Sequence, residues 1–371
     1  MIHIKTIKVR VKDRHAKQLC KMARSVNFVW NYLNDLSQRS IMDRGVFLSG
    51  YNMDSYTSGS CKELGIHSQT VQRVSAEYAT RRKQFNKSKL RWRKSFGSSR
   101  ALGWIPINTG ASKWKNGQVF HNGQHYSVWD SYGLSQYRFR SASFSEDARG
   151  RWYFNVAVDV EQRQSKGTSS VGIDLGCKTA ATCSDGRQIS GRWYREMEGK
   201  LSAAQRAGNK KRAKAIHAKV SNRRKDGLHK FSRTLVDENA AIFVGDVNVK
   251  GMAKTKMAKS SLDAGWGMFK TMLEYKCNHA GVVFEVVNEA YTTQTCSRCG
   301  SIAGPKGYAG LNKRSWKCGD CGASHDRDIN AAINIRERGH ALLGVEIPAF
   351  RHREDVKLPY QTLDKAYRRG L

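Results

Sequence analysis

Four cysteines in this 371-residue chain stand in two C-x-x-C-G units, Cys296/Cys299 and Cys318/Cys321, with eighteen residues between the pairs. Thiolates are soft ligands, and four of them at this spacing suit a tetrahedral Zn²⁺ in a closed, structural site. Gly300 and Gly322 follow the two knuckles and supply the positive-φ turn that points backbone amides at sulfur. A pair of redox dithiols would need one pair at a helix start in a thioredoxin-like setting, which is absent here. Just beyond, SHDRDINAAINI opens a helical pattern with Asp326 and Asp328 at its head. Far upstream, Asp174 sits in GIDLG, after an apolar strand and before a Gly turn. Two carboxylates from distant segments of a strongly cationic chain suit divalent-metal phosphoryl chemistry. Hard oxygen ligands would hold Mg²⁺ ions that activate water and stabilise the leaving oxygen.

The elements that must position these groups differ between the two halves. Residues 2–12 alternate apolar and basic, the mark of a half-buried strand with a cationic outer face. Asp13 is placed to cap a long helix whose apolar stripe is Leu19, Met22, Val26, Val29, Leu33 and Leu36. Ser68 is placed to cap a second, with Val71, Val74 and Tyr78 inward, running into the basic stretch 81–94. From Trp104 to about Gln164, short strand-like runs broken by Gly, Asn, Asp and Ser predict an antiparallel barrel or sheet, with the helical block 14–95 inserted in it. SKGTSS at 165–170 reads as a linker. After it strands alternate with helices, an α/β pattern whose strand order the sequence does not reveal. Residues beyond 340 read as a peripheral tail.

Composition narrows the partners. Lys and Arg number 65 against 31 Asp and Glu, a net charge of +34 spread along the chain. A polyanion filling several grooves is the economical reason for tolerating such self-repulsion, and nucleic acid is the usual one. The candidate phosphate and stacking residues are Arg81, Arg82, Lys83, Lys87, Arg91, Trp92 and Arg93, then Arg138 and Arg140 on strands. Lys210, Lys211, Arg212, Arg223, Arg224 and Lys225 follow in a basic helix. No stretch approaches the ~20 apolar residues of a membrane span. Five further cysteines lie scattered as free thiols would in a reducing compartment, so the expected location is the cytosol.

Taken in order, IDLG, RRKDGLHKFS, VGDVNVKGM, DAGW…LEYK, YTTQTCSRCG and WKCGDCGASHDRDINAAINI resemble the TnpB family of transposon-encoded RNA-guided nucleases, related to type V CRISPR effectors. The motif match covers about 170–338, and the first 165 residues agree in layout only. The resemblance implies an α+β multidomain chain: a wedge β-barrel (1–13 and 96–165), a helical recognition lobe (14–95), a RuvC-like nuclease domain of RNase H fold (166–290 and 326–340), a zinc ribbon (291–325) and a tail (341–371). It implies a guide RNA, a double-stranded DNA target opened beside a short duplex motif, cleavage with two Mg²⁺ ions and one structural Zn²⁺, and a monomeric protein in the ribonucleoprotein. A nuclease-inactive RNA-guided repressor and a compact CRISPR effector are the alternatives.

The family's first acid carries over to Asp174 and its third to Asp328, with Arg327 in a supporting role at the scissile phosphate. Its second does not: where the family has glutamate then aspartate, as in IEDLN, this chain reads VGDVN, with Gly245 in place of the glutamate. Three readings stay open. Asp246 shifts inward, although its side chain points to the opposite face of a strand from residue 245. Glu289, at the end of GVVFEVVNE, reaches across from a neighbouring strand, since active sites of parallel sheets lie at strand C-termini. Or the nuclease is dead. Glu289 is the preferred candidate, Glu285 being deeper. Asp326 reads as a helix N-terminal charge, His325 as a cap or inert neighbour, and Asp263 as a helix cap.

Overall fold

The computed structural model describes residues 2–161, 164–252, 254, 257–306, 310 and 312–344. The chain forms two compact units, 1–161 and 162–371. The expected tail lies almost wholly outside the described residues.

In the first unit, the alternating N-terminal segment is β1 (Ile2–Val11), with Ile7, Val9 and Val11 buried and Lys5 and Lys8 exposed. The helices are α1 (Ala16–Arg44), α2 (Gly50–Thr57), α3 (Cys61–Leu64) and α4 (Ser68–Gln84). The strands are β2 (Trp104–Ile107), β3 (Ser112–Lys115), β4 (Gln118–His121), β5 (Gln124–Tyr126), β6 (Val128–Trp129), β7 (Phe139–Glu146) and β8 (Trp152–Glu161). They make a five-stranded antiparallel sheet, β2-β7-β8-β1-β6, and a three-stranded one, β3-β4-β5. Asn116-Gly117 and Asn122-Gly123, all four at positive φ, turn the two small hairpins. Leu19, Met22, Val26, Val29 and Leu33 of α1 are buried with Val71, Val74 and Tyr78 of α4 and the inner faces of the strands in one core.

Both expected caps shift. Asp13 lies in a 3₁₀ turn and pairs with Arg10 Nη2 at 2.9 Å, so α1 starts at Ala16 without a side-chain cap. His67 rather than Ser68 caps α4, its Nδ1 accepting from Gln69 N at 3.2 Å. The basic run 81–94 leaves the helix at Gln84 and returns extended along α1. Asn34 exchanges hydrogen bonds with Leu90 N and O (2.9 and 2.8 Å), and Asn31 with Arg93 N and O (2.8 and 3.1 Å). Two asparagines one helical turn apart thus do for this segment what a neighbouring strand would.

The second unit holds β9 (Ser169–Asp174), β10 (Thr179–Cys183) and β11 (Gln188–Ser190). α5 (Glu198–Arg206), α6 (Lys210–Glu238), β12 (Asn239–Gly245), α7 (Val249–Met252), α8 (Ala258–Ala264), α9 (Trp266–Ala280) and β13 (Val283–Val287) follow. A small hairpin, β14 (Ser315–Lys317) and β15 (Ser324–Asp326), precedes α10 (Arg327–Leu342). The strand order is β11-β10-β9-β12-β13, with β9, β12 and β13 parallel and β10 antiparallel to β9. Ser165 of the expected linker is tied down, its Oγ donating to Val236 O at 2.8 Å. Gly172 lets α10 lie on β9, because a Cβ there would collide with Ala332 O. α8 and α9 are separate helices, broken at Gly265 with φ +75°. Among the described residues no helix is long and apolar enough to cross a membrane.

Lys276 of α9 is 3% exposed, and its Nζ donates to His229 O and Ser232 Oγ of α6, both at 2.7 Å. Burial pushes its ammonium down to about 8 from 10.5. The unfolded chain therefore binds more protons between those two values, and this group makes stability rise with pH across that window. Lys276→Met is expected to raise the unfolding free energy from urea titration at pH 7 by about 3 kcal/mol at most, and the difference from the parent should shrink towards pH 10. A difference independent of pH would refute the assignment.

Candidate functional site

The three parallel strands end on one edge of the sheet. β9 ends at Asp174, β12 at Gly245, and in register Val244 faces Ile173 while Gly245 faces Val287. The third strand stops at Val287, two residues short of the expected end, so Glu289 lies just past it, where its side chain is freed from strand alternation. A Cβ built on Gly245 would lie 2.5 Å from Glu289 Oε2 and 3.3 Å from its Cβ. The Glu289 side chain thus occupies the space that a side chain at 245 would fill. Asp246 points elsewhere: it is exposed, and its Oδ1 accepts from Glu289 N at 3.1 Å.

The fourth contribution is α10. Asp326 is its N-cap, accepting from Asp328 N (3.0 Å) and Ile329 N (2.9 Å), which places Asp328 in the first turn. Asp174 is affected by both of the other carboxylates. Burial raises its pKa first, then the Asp328 and Glu289 charges, to about 7. Glu289 is likewise raised, by burial and then Asp246, with Lys270 of α9 opposing. Asp174 thus feels the charge of both other carboxylates, a combination that suits hard divalent cations. Among the described residues, the cysteine quartet is the group whose ligand atoms already lie within metal-binding distance of one another. Arg314 partly offsets the carboxylate charge, its Nη1 lying 2.9 and 2.7 Å from the two Asp328 oxygens. Arg327, ahead of Arg314, is the positive charge that opposes the rise at Asp174, while its Nη1 donates to Gly310 O at 3.1 Å and its N to Arg314 O at 2.7 Å.

The cysteines converge as their spacing predicts. Their four sulfurs lie within 4.8 Å of one another, Cys296–Cys321 at 3.6 Å and Cys299–Cys318 at 3.7 Å. Ligands about 2.3 Å from a tetrahedral zinc stand about 3.8 Å apart, far beyond the ~2.05 Å of a disulfide. This is a site for a structural metal such as zinc. Gly300 and Gly322 adopt φ +79° and +70°, as the knuckles require. The Ser301 hydroxyl leads the groups that draw the Cys318 thiol down to about 6, towards the thiolate a metal needs. His325 is no inert neighbour, since its Nε2 lies 3.0 Å from Cys296 Sγ. Purified protein is expected to carry one zinc per chain by elemental analysis, and Cys296→Ser with Cys318→Ser to carry none. Full zinc in that variant would exclude the cluster as the site.

Sequence reasoning missed Arg314, Lys270 and the buried Asn330 and Asn334. Only the asparagines left a signal, two amides spaced i, i+4 inside an otherwise apolar helical motif. Of the proposed nucleic-acid residues, Lys83, Lys87, Arg91, Trp92, Arg138, Lys210, Lys211, Arg212 and Lys225 are exposed. Arg82 is not a surface group. It is 7% exposed, bonded to Ser37 Oγ and Leu48 O, because its guanidinium satisfies groups inside the helical packing. Arg93 is held by Asn27 Oδ1 (2.7 Å) and Leu102 O (2.9 Å), and Arg224 by Asp263 at 3.5 Å. Arg81, Arg140 and Arg223 are exposed but paired with Glu77, Asp159 and Glu196. Asp263 accepts Tyr194 N through both oxygens (2.9 and 2.8 Å) and caps no helix of its own.

A mixed α/β architecture carrying a four-cysteine module that could hold a structural metal sets the class, and known proteins narrow it. Residues 153–256 match a family model described as a probable transposase, and residues 266–335 match one described as Cas12f1-like, TNB domain. A Streptomyces pristinaespiralis protein named as an RNA-guided DNA endonuclease is 36% identical over 217 residues, 54% of this chain and 53% of the relative. The CRISPR-associated endodeoxyribonuclease Cas12f1 of Sulfoacidibacillus thermotolerans is 27% identical, over 51% of each chain. A TnpB-like protein of Methanocaldococcus jannaschii is 32% identical over 135 residues, 33% of this chain and 46% of that one. A Cas12f1–sgRNA–target DNA complex shares the fold, with a TM-score of 0.58 at 12% identity over 90% of this chain and 99% of that one. The chain spans about half the length of the curated relatives it matches. The resemblance to TnpB is borne out over the matched part of the chain, which is similar in sequence to TnpB-like and Cas12f1 proteins.

Proposed function

We propose that the chain is an RNA-guided DNA endonuclease that cuts its target beside a short duplex motif, at a site formed by Asp174, Glu289 and Asp328. The observation that carries the reading is Glu289 Oε2, 2.5 Å from where a Cβ on Gly245 would lie, at the strand edge that also ends in Asp174. The order β11-β10-β9-β12-β13, with its three parallel strands, supports a RuvC-like domain of RNase H fold over 166–290 and 326–340. The zinc ribbon would be the insert 291–325. The wedge barrel (1–13 and 96–165) and helical lobe (14–95) would present Lys83, Lys87, Arg91, Trp92 and Arg138 to nucleic acid. The action would be on cytoplasmic, nucleoid DNA.

When bound, two Mg²⁺ ions would activate the attacking water and offset charge on the leaving oxygen. The chain's own residues do the rest. Asp174, Glu289 and Asp328 supply oxygen ligands from three elements, so the site exists only in the folded sheet. Asp246 aims Glu289 by accepting from its backbone N–H, and Lys270 partly offsets the rise that burial and Asp246 impose on that carboxylate. Arg314, half-exposed, can exchange Asp328 for a phosphate oxygen of the substrate.

A guide-directed repressor without cleavage is the second reading, favoured by the Arg314 grip on a would-be ligand. Purification with co-expressed RNA, followed by incubation with a matched-target plasmid in Mg²⁺, separates the two. Guide-dependent cleavage is the expected result. Guide-dependent binding of an intact plasmid would leave the repressor, and absence of bound RNA would sink both.

A further inference from the structure

Glu289 stands in an irregular segment, and such a segment needs something to hold it at the precision a metal site demands. The segment is strained. Tyr291, two residues on, has φ +62°, a region that bulky side chains rarely adopt and that persists only where the surroundings impose it. The restraint comes from the helix that bears Asp328. Asn334 Nδ2 donates to Thr292 O and Thr295 O, both at 2.7 Å. Asn330 Nδ2 donates to the same two carbonyls at 3.2 and 2.8 Å, and its Oδ1 accepts from Ser297 N, inside the first cysteine knuckle, at 2.9 Å. Thr292 closes the chain of contacts back to Glu289, its Oγ1 and N donating to Glu289 O at 2.8 and 3.2 Å.

Both asparagines are nearly sealed from water, at 1% and 4% exposure, as are Thr292 and Thr295 at 2% and 6%. A buried amide whose donors are spent on two carbonyls of one loop has a defined geometry and a large cost of disruption. Asn330 lies two residues after Asp328 on the same helix, and Asn334 one turn further. The distance between Glu289 and Asp328 is therefore set by these hydrogen bonds as well as by the packing of the helix on the sheet.

We propose that Asn330 and Asn334 are positioning residues for the metal site, clamping the Glu289 loop and the first cysteine knuckle to the Asp328 helix. The inference rests on the reading of Asp174, Glu289 and Asp328 as metal ligands. It adds that a helix supplying one ligand directly also sets another at a distance. Ligands on separate elements bind a cation well only if their separation is held. Loosening a group that orients a ligand typically costs 10–100-fold in metal affinity.

The test is Mn²⁺ binding to the full-length chain with its zinc in place, followed by electron paramagnetic resonance. Asn334→Ala is expected to weaken the Mn²⁺ site about tenfold or more, with zinc still at one per chain and guide-RNA binding intact. Asn330→Leu, which keeps the volume and adds no charge but loses the amide donors to Thr292 O and Thr295 O, offers the same readout without leaving a cavity and should weaken it too. Ala331→Gly, a change in the same helix outside the clamp, should lower the thermal midpoint without moving the Mn²⁺ affinity. Unchanged Mn²⁺ affinity in both asparagine variants would overturn the proposal and leave the amides structural. Failure of the underlying reading looks different. The parent chain would then show no Mn²⁺ site that Asp174→Asn removes, and the inference would fall with it.

Discussion

Glu289→Gln is expected to reduce guide-directed cleavage by about a thousandfold or more, with RNA and target binding unchanged. The substitution keeps the volume and removes the charge. A ligand lost from a two-metal site forfeits several kcal/mol of transition-state stabilisation, and each 1.4 kcal/mol is about tenfold in rate. Asp246→Ala separates this from the alternative acid. Asp246 is exposed and serves Glu289 through a single 3.1 Å hydrogen bond to its backbone, so its loss should cost about tenfold, the scale of one hydrogen bond. The reverse ranking, with Asp246→Ala silent to binding but lethal to cleavage and Glu289→Gln active, would transfer the role to Asp246.

Moving the carboxylate back tests the same geometry from the other side. Gly245→Glu alone should lower cleavage about a hundredfold, because the new Cβ falls 2.5 Å from Glu289 Oε2 and 3.3 Å from Ile335 Cδ1, and two carboxylates would compete for one space. Combined with Glu289→Ala, which empties that space, Gly245→Glu should recover activity to within about tenfold of the parent. That non-additivity spans about four decades in rate, a coupling of roughly 5 kcal/mol, above the usual range for residues in contact because the two positions would supply one and the same ligand. Strict additivity, with the double variant worse than either single one, would show that the two positions do not share a site. Cleavage rates under saturating guide and target, with target affinity measured separately, are the required readouts.

Local chemistry was legible in the chain because it depends on residues close in sequence. The C-x-x-C-G knuckles, the Asn-Gly hairpins, the apolar stripe of α1 and the acidic start of α10 all appear where their spacing places them. Helix starts were off by a few residues. Asp13 was drawn to Arg10, and His67 reached the helix amides before Ser68 could. The basic residues were legible as a class but not one by one. Burial sorts Arg82 and Arg93 from Lys83, Lys87 and Arg91, and charge pattern says nothing about which guanidinium a neighbouring carbonyl will claim.

What the linear order of residues establishes is therefore a metal-binding cysteine quartet, a strongly cationic chain, and two acids at a strand end and a helix start. It also exposes a gap at Gly245. Filling that gap is a matter of long-range pairing. β13 lies beside β12 in parallel register, which puts Glu289 next to a residue 44 positions earlier in the chain, and no local pattern encodes that adjacency. The clamp by Asn330 and Asn334 is of the same kind, since amides on one helix become informative only once the loop carbonyls they bind are packed against them. A carboxylate's type is written in the chain, but its position relative to another carboxylate belongs to the fold, because backbone hydrogen bonds between distant segments set that distance.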